Sequence, residues 1–279
     1  MDRGKIMRPT TIFCGLIAGL VFAGAAGAGP VSVRWESEGA GLQNTSATFT
    51  AGGQVETFDE QATGTDRTFS ASFGAGYSGT YTGAQINPAD QWGGSLGAGN
   101  YAVAFGAGAT YTLDLSASTL PVTYFGYWLS ALDGGNQVQF YGTENGVQNQ
   151  LLFTFTPQNV VASINARIDS LPPAEQDAAK ADYYGNPNAS FTGQDGAEPF
   201  VFIDFFANPG TTFSKIVFTE VPPFGGGYES DNHTVGEWKT QGTGTAVPVP
   251  EPATWTLAIL GFAFIGGTLR LRGRVARTA

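Results

Sequence analysis

The sequence predicts an all-β body, an antiparallel β-sandwich of the jelly-roll kind with a short helical insertion, and three observations carry that prediction. Between Val31 and Gly236, short runs rich in Val, Phe, Tyr and Thr are separated by Gly, Asn, Asp and Pro, the pattern of strands joined by tight turns. In Thr110 to Leu115 every second residue is apolar, so one face is buried and the other is wet. Apolar residues make up 42% of the 279, with 21 Phe, which is enough for a sizeable core, whereas charged residues are 13% and Gly reaches 40, so the surface is covered by Ser, Thr, Asn, Gln and Gly. A β-barrel is the alternative architecture. Without its terminal segments the chain retains about 220 residues, a size that fits one large sandwich better than two domains.

The first element is a leader over residues 1–28. Arg3, Lys5 and Arg8 form a basic start, Thr11 to Ala23 an apolar run and Ala26-Gly27-Ala28 a small-residue cleavage site, which together fit a secretory signal peptide. A retained anchor needs about 20 apolar residues, and this run thins into Gly and Ala too early. The sole cysteine, Cys14, lies inside it; a lipoprotein site there is opposed by bulky Phe13 where a small residue is wanted. The body, residues 29–246, therefore has no cysteine, which excludes a disulfide, a Cys-ligated zinc and a thiol nucleophile.

About ten to twelve strands follow. The clearest are Gln54 to Phe58, Thr68 to Phe73, Tyr101 to Phe105, Thr110 to Leu115, Val122 to Ser130, Gln137 to Tyr141, Gln150 to Phe155, Phe200 to Phe206 and Lys215 to Glu220. Asn145-Gly146 reads as a hairpin turn, because both residues tolerate positive φ, and Gly134-Gly135 reads as a second between Leu132 and Val138. One segment breaks the pattern. Val160, Val161, Ile164 and Ile168 fall at helical spacing, and Pro172-Pro173 opens the helix-forming run Ala174 to Ala181. This helical insertion, about 158–188, is either a surface excursion or a cover on one end of the sandwich.

The last element, residues 247–279, begins Val247-Pro248-Val249-Pro250-Glu251-Pro252-Ala253-Thr254-Trp255. Alternate prolines keep this strip extended and solvated. The apolar run 255–269 then spans 15 residues, about 22 Å as a helix against a hydrocarbon core near 30 Å. Trp255 suits the outer interface, and Arg270, Arg272, Arg274 and Arg277 the cytoplasmic side. In its order of Pro-Glu-Pro, short transmembrane-like helix and basic end, this tail resembles the PEP-CTERM sorting signal. The resemblance implies an exported protein that is held transiently in the membrane. The resemblance further implies that a membrane cysteine protease, exosortase, recognises the tail at Pro250, Glu251 and Pro252, and that the protein then passes to the cell surface or the exopolysaccharide matrix. An ordinary C-terminal membrane anchor is the rival reading. Tyr124-Phe125-Gly126-Tyr127-Trp128, Asn136 to Tyr141, Phe200 to Phe206 and Tyr228 to Asn232 resemble, loosely, the β-sandwich ectodomains joined to such tails, which implies a lectin-like fold.

Charge narrows the partners. From Gly29 to Pro250 there are 21 Asp and Glu against 6 Lys and Arg, a net of −15, so a phosphate backbone is repelled and nucleic acid is not an expected partner. Catalytic constellations are sparse. His233, the single histidine, stands between Asn232 and Thr234 and reads as a solvated loop residue, with no Gly-x-Ser-x-Gly elbow to complete a triad. Glu36 with Glu38 and Asp59 with Glu60 are the paired carboxylates that a glycosidase would need. No enzyme and no obligate cofactor are expected. Calcium is the cofactor that oxygen-rich loops would take, with Glu229, Asp231, Asn232 and Asp59 as ligands. Trp92, Tyr77 and Tyr81, in Gly-rich polar surroundings, are candidates for stacking on sugar rings, as is Tyr183-Tyr184, whereas mid-strand Trp128 reads as core. The sequons at Asn44, Asn188 and Asn232 read as chance matches. The expected role is a non-enzymatic surface or matrix protein. A carbohydrate-binding module and a polysaccharide hydrolase are its rivals.

Overall fold

A computed structural model describes residues 29–36, 43–186, 188–192 and 194–248. The leader, Glu38, the motif Pro250-Glu251-Pro252, the hydrophobic run and Trp255, Arg270, Arg272 and Arg274 lie outside the described residues. Within them the body is all-β and sandwich-like. Its strands are β1 (Val31–Trp35), β2 (Thr48–Glu56), β3 (Gly64–Ser72), β4 (Ser78–Pro88), β5 (Asn100–Phe105), β6 (Thr110–Asp114), β7 (Tyr124–Leu129), β8 (Asn136–Glu144) and β9 (Val147–Phe155). Helices α1 (Gln158–Asp169) and α2 (Pro173–Tyr183) follow, then β10 (Val201–Ala207), β11 (Thr211–Glu220), β12 (Gly227–Thr240) and β13 (Thr245–Val247).

The strands form one antiparallel sheet in the order β13-β1-β10-β7-β12-β5-β4-β6-β11-β8-β9, with β2 added on β12 and β3 on β4. The sheet curls on itself until its halves face each other: Phe140 of β8 meets Phe205 of β10 at 4.6 Å, and Phe218 of β11 meets Tyr127 and Phe125 of β7 at 5.8 and 6.0 Å. The corner is β12. Gly227 to Ser230 pair with β5, Ser230 to Gly236 with β7, and His233 to Thr240 with β2. Its register shifts between Asp231 and Thr234, and Asn232 sits there at φ 51°, a left-handed conformation that Asn tolerates better than most residues.

The nine expected strands are present, and Asn145 and Gly146, at φ 50° and 84°, make the β8–β9 hairpin. β1, β4, β12 and β13 were not among them. Gly134-Gly135 does not close a hairpin, because β7 and β8 are not neighbours in the sheet; the segment crosses between layers. Gly135 is needed there for close approach, since a Cβ would come within 2.1 Å of Glu220 Oε1. The insertion is two helices. α1 buries Val160, Ile164 and Ile168 in the main core, while Trp35 of β1 donates from Nε1 to Ser163 Oγ at 2.9 Å and packs edge-on against Tyr183 at 5.3 Å. The helices thus cover core at the β1 side. No helix among the described residues is long and apolar enough to cross a membrane.

Candidate functional site

The site is built on loop 89–99, between β4 and β5, whose sequence Ala89-Asp90-Gln91-Trp92-Gly93-Gly94-Ser95-Leu96-Gly97-Ala98-Gly99 is too Gly-rich for a regular element. It is nevertheless pinned from several sides. Asp90 accepts from the backbone N–H of Trp92 and Gly93 at 2.8 and 3.1 Å, and from Tyr101 Oη at 3.1 and 3.2 Å. From beyond α2, Asn186 Nδ2 donates to the Gln91 carbonyl at 2.7 Å and Asn188 Nδ2 to that of Gly94 at 2.9 Å. From β12, Asp231 Oδ2 accepts Ser95 N–H at 2.7 Å and Asn232 Nδ2 donates to Ser95 Oγ at 2.9 Å. At its end Asp59 Oδ1 accepts Asn100 N–H at 2.9 Å; a Cβ on Gly99, at φ 78°, would lie 1.9 Å from that oxygen.

Beneath this loop is a cleft of about 410 Å³, lined by Asn44, Thr57, Asp59, Leu96, Asp231 and Asn232 among others. Its rim is apolar, with Leu96 73% and Val55 37% exposed. Trp92, 41% exposed, stands farther along the same loop. Burial pushes the Asp231 carboxyl up to about 8; amides of Ser95 and Asn232 oppose that, and the charges of Asp59 and Glu56 add to it. No cation lies among those influences. The cleft therefore offers carboxylate, amide and hydroxyl groups to hydroxyl-bearing ligands and disfavours anions.

Of the sequence candidates, Asp59, Asp231 and Asn232 share this cleft and Trp92 is on its loop. Glu229 is not with them: the cleft is lined by Asp231 and Asn232 and not by Glu229. Glu229 faces Asp133, Asp90 and Glu220, and burial first, then their charges, raise its carboxyl to about 8. Among the described residues no three Asp, Glu, His or Cys side chains converge to hold a metal ion, so the four-residue calcium set is not assembled. Tyr77 and Tyr81, at 2% and 0% exposure, are core residues and cannot stack on a sugar, because their apolar rings close the sheet interior. Tyr183 is buried as well, and Trp128 is core as read.

His233 is not a loop residue. It is fully buried on β12, ringed by Phe58, Phe125 and Phe218 at 5.0 to 5.2 Å. Its Nδ1 shares a hydrogen bond with Tyr81 Oη at 2.9 Å and its Nε2 one with Ser230 Oγ at 3.0 Å, and Ser230 is bonded in turn to Tyr111 Oη at 2.5 Å. Burial pushes its pKa down to about 3, so the ring is neutral and each nitrogen has a partner.

Of the acid pairs, Glu36 with Glu38 has only Glu36 among the described residues. Glu36 is buried and accepts from Ser46 N–H at 2.8 Å, beside Asp204, whereas Asp59 and Glu60 are exposed on the β2–β3 connection. Asp204, absent from every sequence candidate, accepts from Thr45 Oγ1 at 2.6 Å and Tyr124 Oη at 2.5 Å. Burial first, then the neighbouring Glu36 charge, hold it well above the usual carboxylate range. Asn188 and Asn232 are buried and bonded, which removes both as glycosylation acceptors in the folded protein. Nothing in the sequence marks Asn186 or Asn188 as a clamp on loop 89–99; only the fold brings them to it.

No family model matches the chain, and no curated protein matches it. Among solved structures, the K2 cleaved adhesin domain of Lys-gingipain is similar at a TM-score of 0.32 and 13% identity, over 67% of this chain and 97% of that domain. That likeness is too distant to bear on fold or function.

Proposed function

We propose that this chain is an exported, non-enzymatic surface protein whose body binds a neutral saccharide in the cleft beneath loop 89–99, and that its PEP-CTERM-like tail, read by exosortase, delivers it to the exopolysaccharide. The observation that carries the binding reading is a fixed loop that sets exposed Leu96 on the rim of a cleft of hydroxyl-binding groups and carries exposed Trp92 four residues before it. Saccharide sites combine an apolar surface for the ring face with a few placed polar groups. A loop already held by Asp90, Asn186, Asn188 and Asp231 loses little freedom on binding, which favours affinity. The net charge of −15 over Gly29 to Pro250 favours a neutral glycan over a uronate, sulfate or phosphate polymer.

Binding of the full chain to neutral and acidic polysaccharides, measured by retention on immobilised glycan, tests this. The wild type should prefer the neutral polymer, and Trp92→Ala and Asn44→Ala should each weaken retention about tenfold, or about 1.4 kcal/mol. Retention that survives both substitutions, or a preference for the acidic polymer, sinks the cleft reading.

A further inference from the structure

We infer that β9 is a docking edge for a second copy of this chain, so that two bodies join antiparallel, β9 to β9, about a two-fold axis. A sheet that does not close has edges, and each edge presents unpaired backbone N–H and C=O groups that another strand can take up. Among the described residues this sheet ends at β13, β9, β2 and β3. Three of these are blunted. β13 is three residues long and is followed by Pro248. β2 is interrupted by Gly52 and Gly53, at φ 80° and 84°, with register breaks against β12. β3 carries Asp66 and Arg67, with Asp66 at φ 52° and register breaks around both. Positive φ, bulges, charge and short length are the devices that stop edge pairing.

β9 has fewer of them. It is nine residues, Val-Gln-Asn-Gln-Leu-Leu-Phe-Thr-Phe, with no Pro, no Gly and no charge, and its described strand partner is β8. Its register against β8 breaks twice, between Val147 and Gln150, where Asn149 sits at φ 56°, and between Leu151 and Phe153, so what sets this edge apart is its length and its lack of charge. Val147 and Leu151 are 55% and 51% exposed, large apolar side chains left in solvent on an edge that nothing described covers.

Charge argues for a second copy as the occupant. Each body carries a net −15 from Gly29 to Pro250, so two copies repel wherever acidic faces meet. β9 is a place where they do not: no charged residue lies between Glu144 and Arg167, and Glu144 is the one charge on β8. A two-fold pairing is self-complementary, sets neutral edge against neutral edge and brings Leu151, the middle residue of β9, next to its own copy.

The test is site-directed cross-linking of the full-length chain in cells, in a Cys14→Ser background that leaves no native cysteine. Leu151→Cys, treated with a short bis-maleimide, should yield a product of twice the chain mass, at least about fivefold above that from Ser70→Cys on the blunted β3 edge. Adding Val147→Lys to Leu151→Cys should cut the product by a similar factor while the amount of monomer stays constant, since a charge on an edge opposes pairing. Yields from Leu151→Cys no higher than from Ser70→Cys overturn the proposal. So does a cross-linked product of any mass other than two copies, which would assign the edge to a different partner.

Discussion

Asp231 and Glu229 lie two residues apart on β12, turned into different surroundings, and burial raises both carboxyls to about 8. In an unfolded chain such groups titrate near 4. Between those values the folded state holds the extra protons, so their contribution to stability is complete below about pH 4 and is lost as pH rises through 8. His233 works in the opposite sense: at about 3 in the fold, against about 6.5 when unfolded, it weakens the protein as pH falls through that interval. From pH 5 to pH 9 the two carboxyls outweigh the one imidazole. The melting temperature should therefore fall by about 5 °C or more across that range, since 1 kcal/mol shifts a domain of this size by about 2–4 °C. Asp231→Asn should flatten the fall; calorimetry at both pH values showing a melting temperature that rises or stays level would refute the burial argument. The sequence marked Asp59, Asp231, Asn232 and Trp92 by residue type alone, and the fold does bring the first three to one cleft. It could not show that Tyr77, Tyr81 and His233 are buried, because polar tips on aromatic rings read the same in a loop as in a core.

At the scale of elements, legibility followed apolar content. Strands with Val, Phe and Tyr in alternation, and α1 with Val160, Ile164 and Ile168 on one face, announce themselves. β12 does not. Glu229 to Thr234 is a run of polar residues that looks like a loop, yet every one is buried, since strands pair on both sides and its side chains find partners in Ser95, Tyr81 and Tyr111. Burial with partners overrides propensity. β4, with Gly79, Gly83 and Ala84 among its eleven residues, is weak for a related reason: Gly and Ala are depleted in strands. The insertion covers core, and this has a measurable price in stability. Ile164→Ala leaves a cavity where a fully buried side chain packs, and should destabilise the body by about 2–5 kcal/mol, read from denaturant midpoints. A shift below about 0.5 kcal/mol would return α1 to the status of a surface excursion.

For the whole molecule, the described residues end at Pro248, two residues before the motif Pro250-Glu251-Pro252, so the proposed processing there would leave all thirteen described strands intact. Replacing those three residues by alanines should abolish processing, and the chain should accumulate at higher mass and stay with the membrane fraction. Unchanged mass and unchanged release would end the sorting proposal. The first and last described strands lie side by side, because β13 pairs with β1 through Val33 and Val247, Arg34 and Ala246, and Trp35 and Thr245. A pull entering after Val247 therefore meets a clasp of three residue pairs before anything else. That clasp opens by peeling, one pair at a time, while the fourteen-residue corner strand behind it is gripped along its length. Tugged from its tail, such a body would give way first at its hem and keep its interior whole.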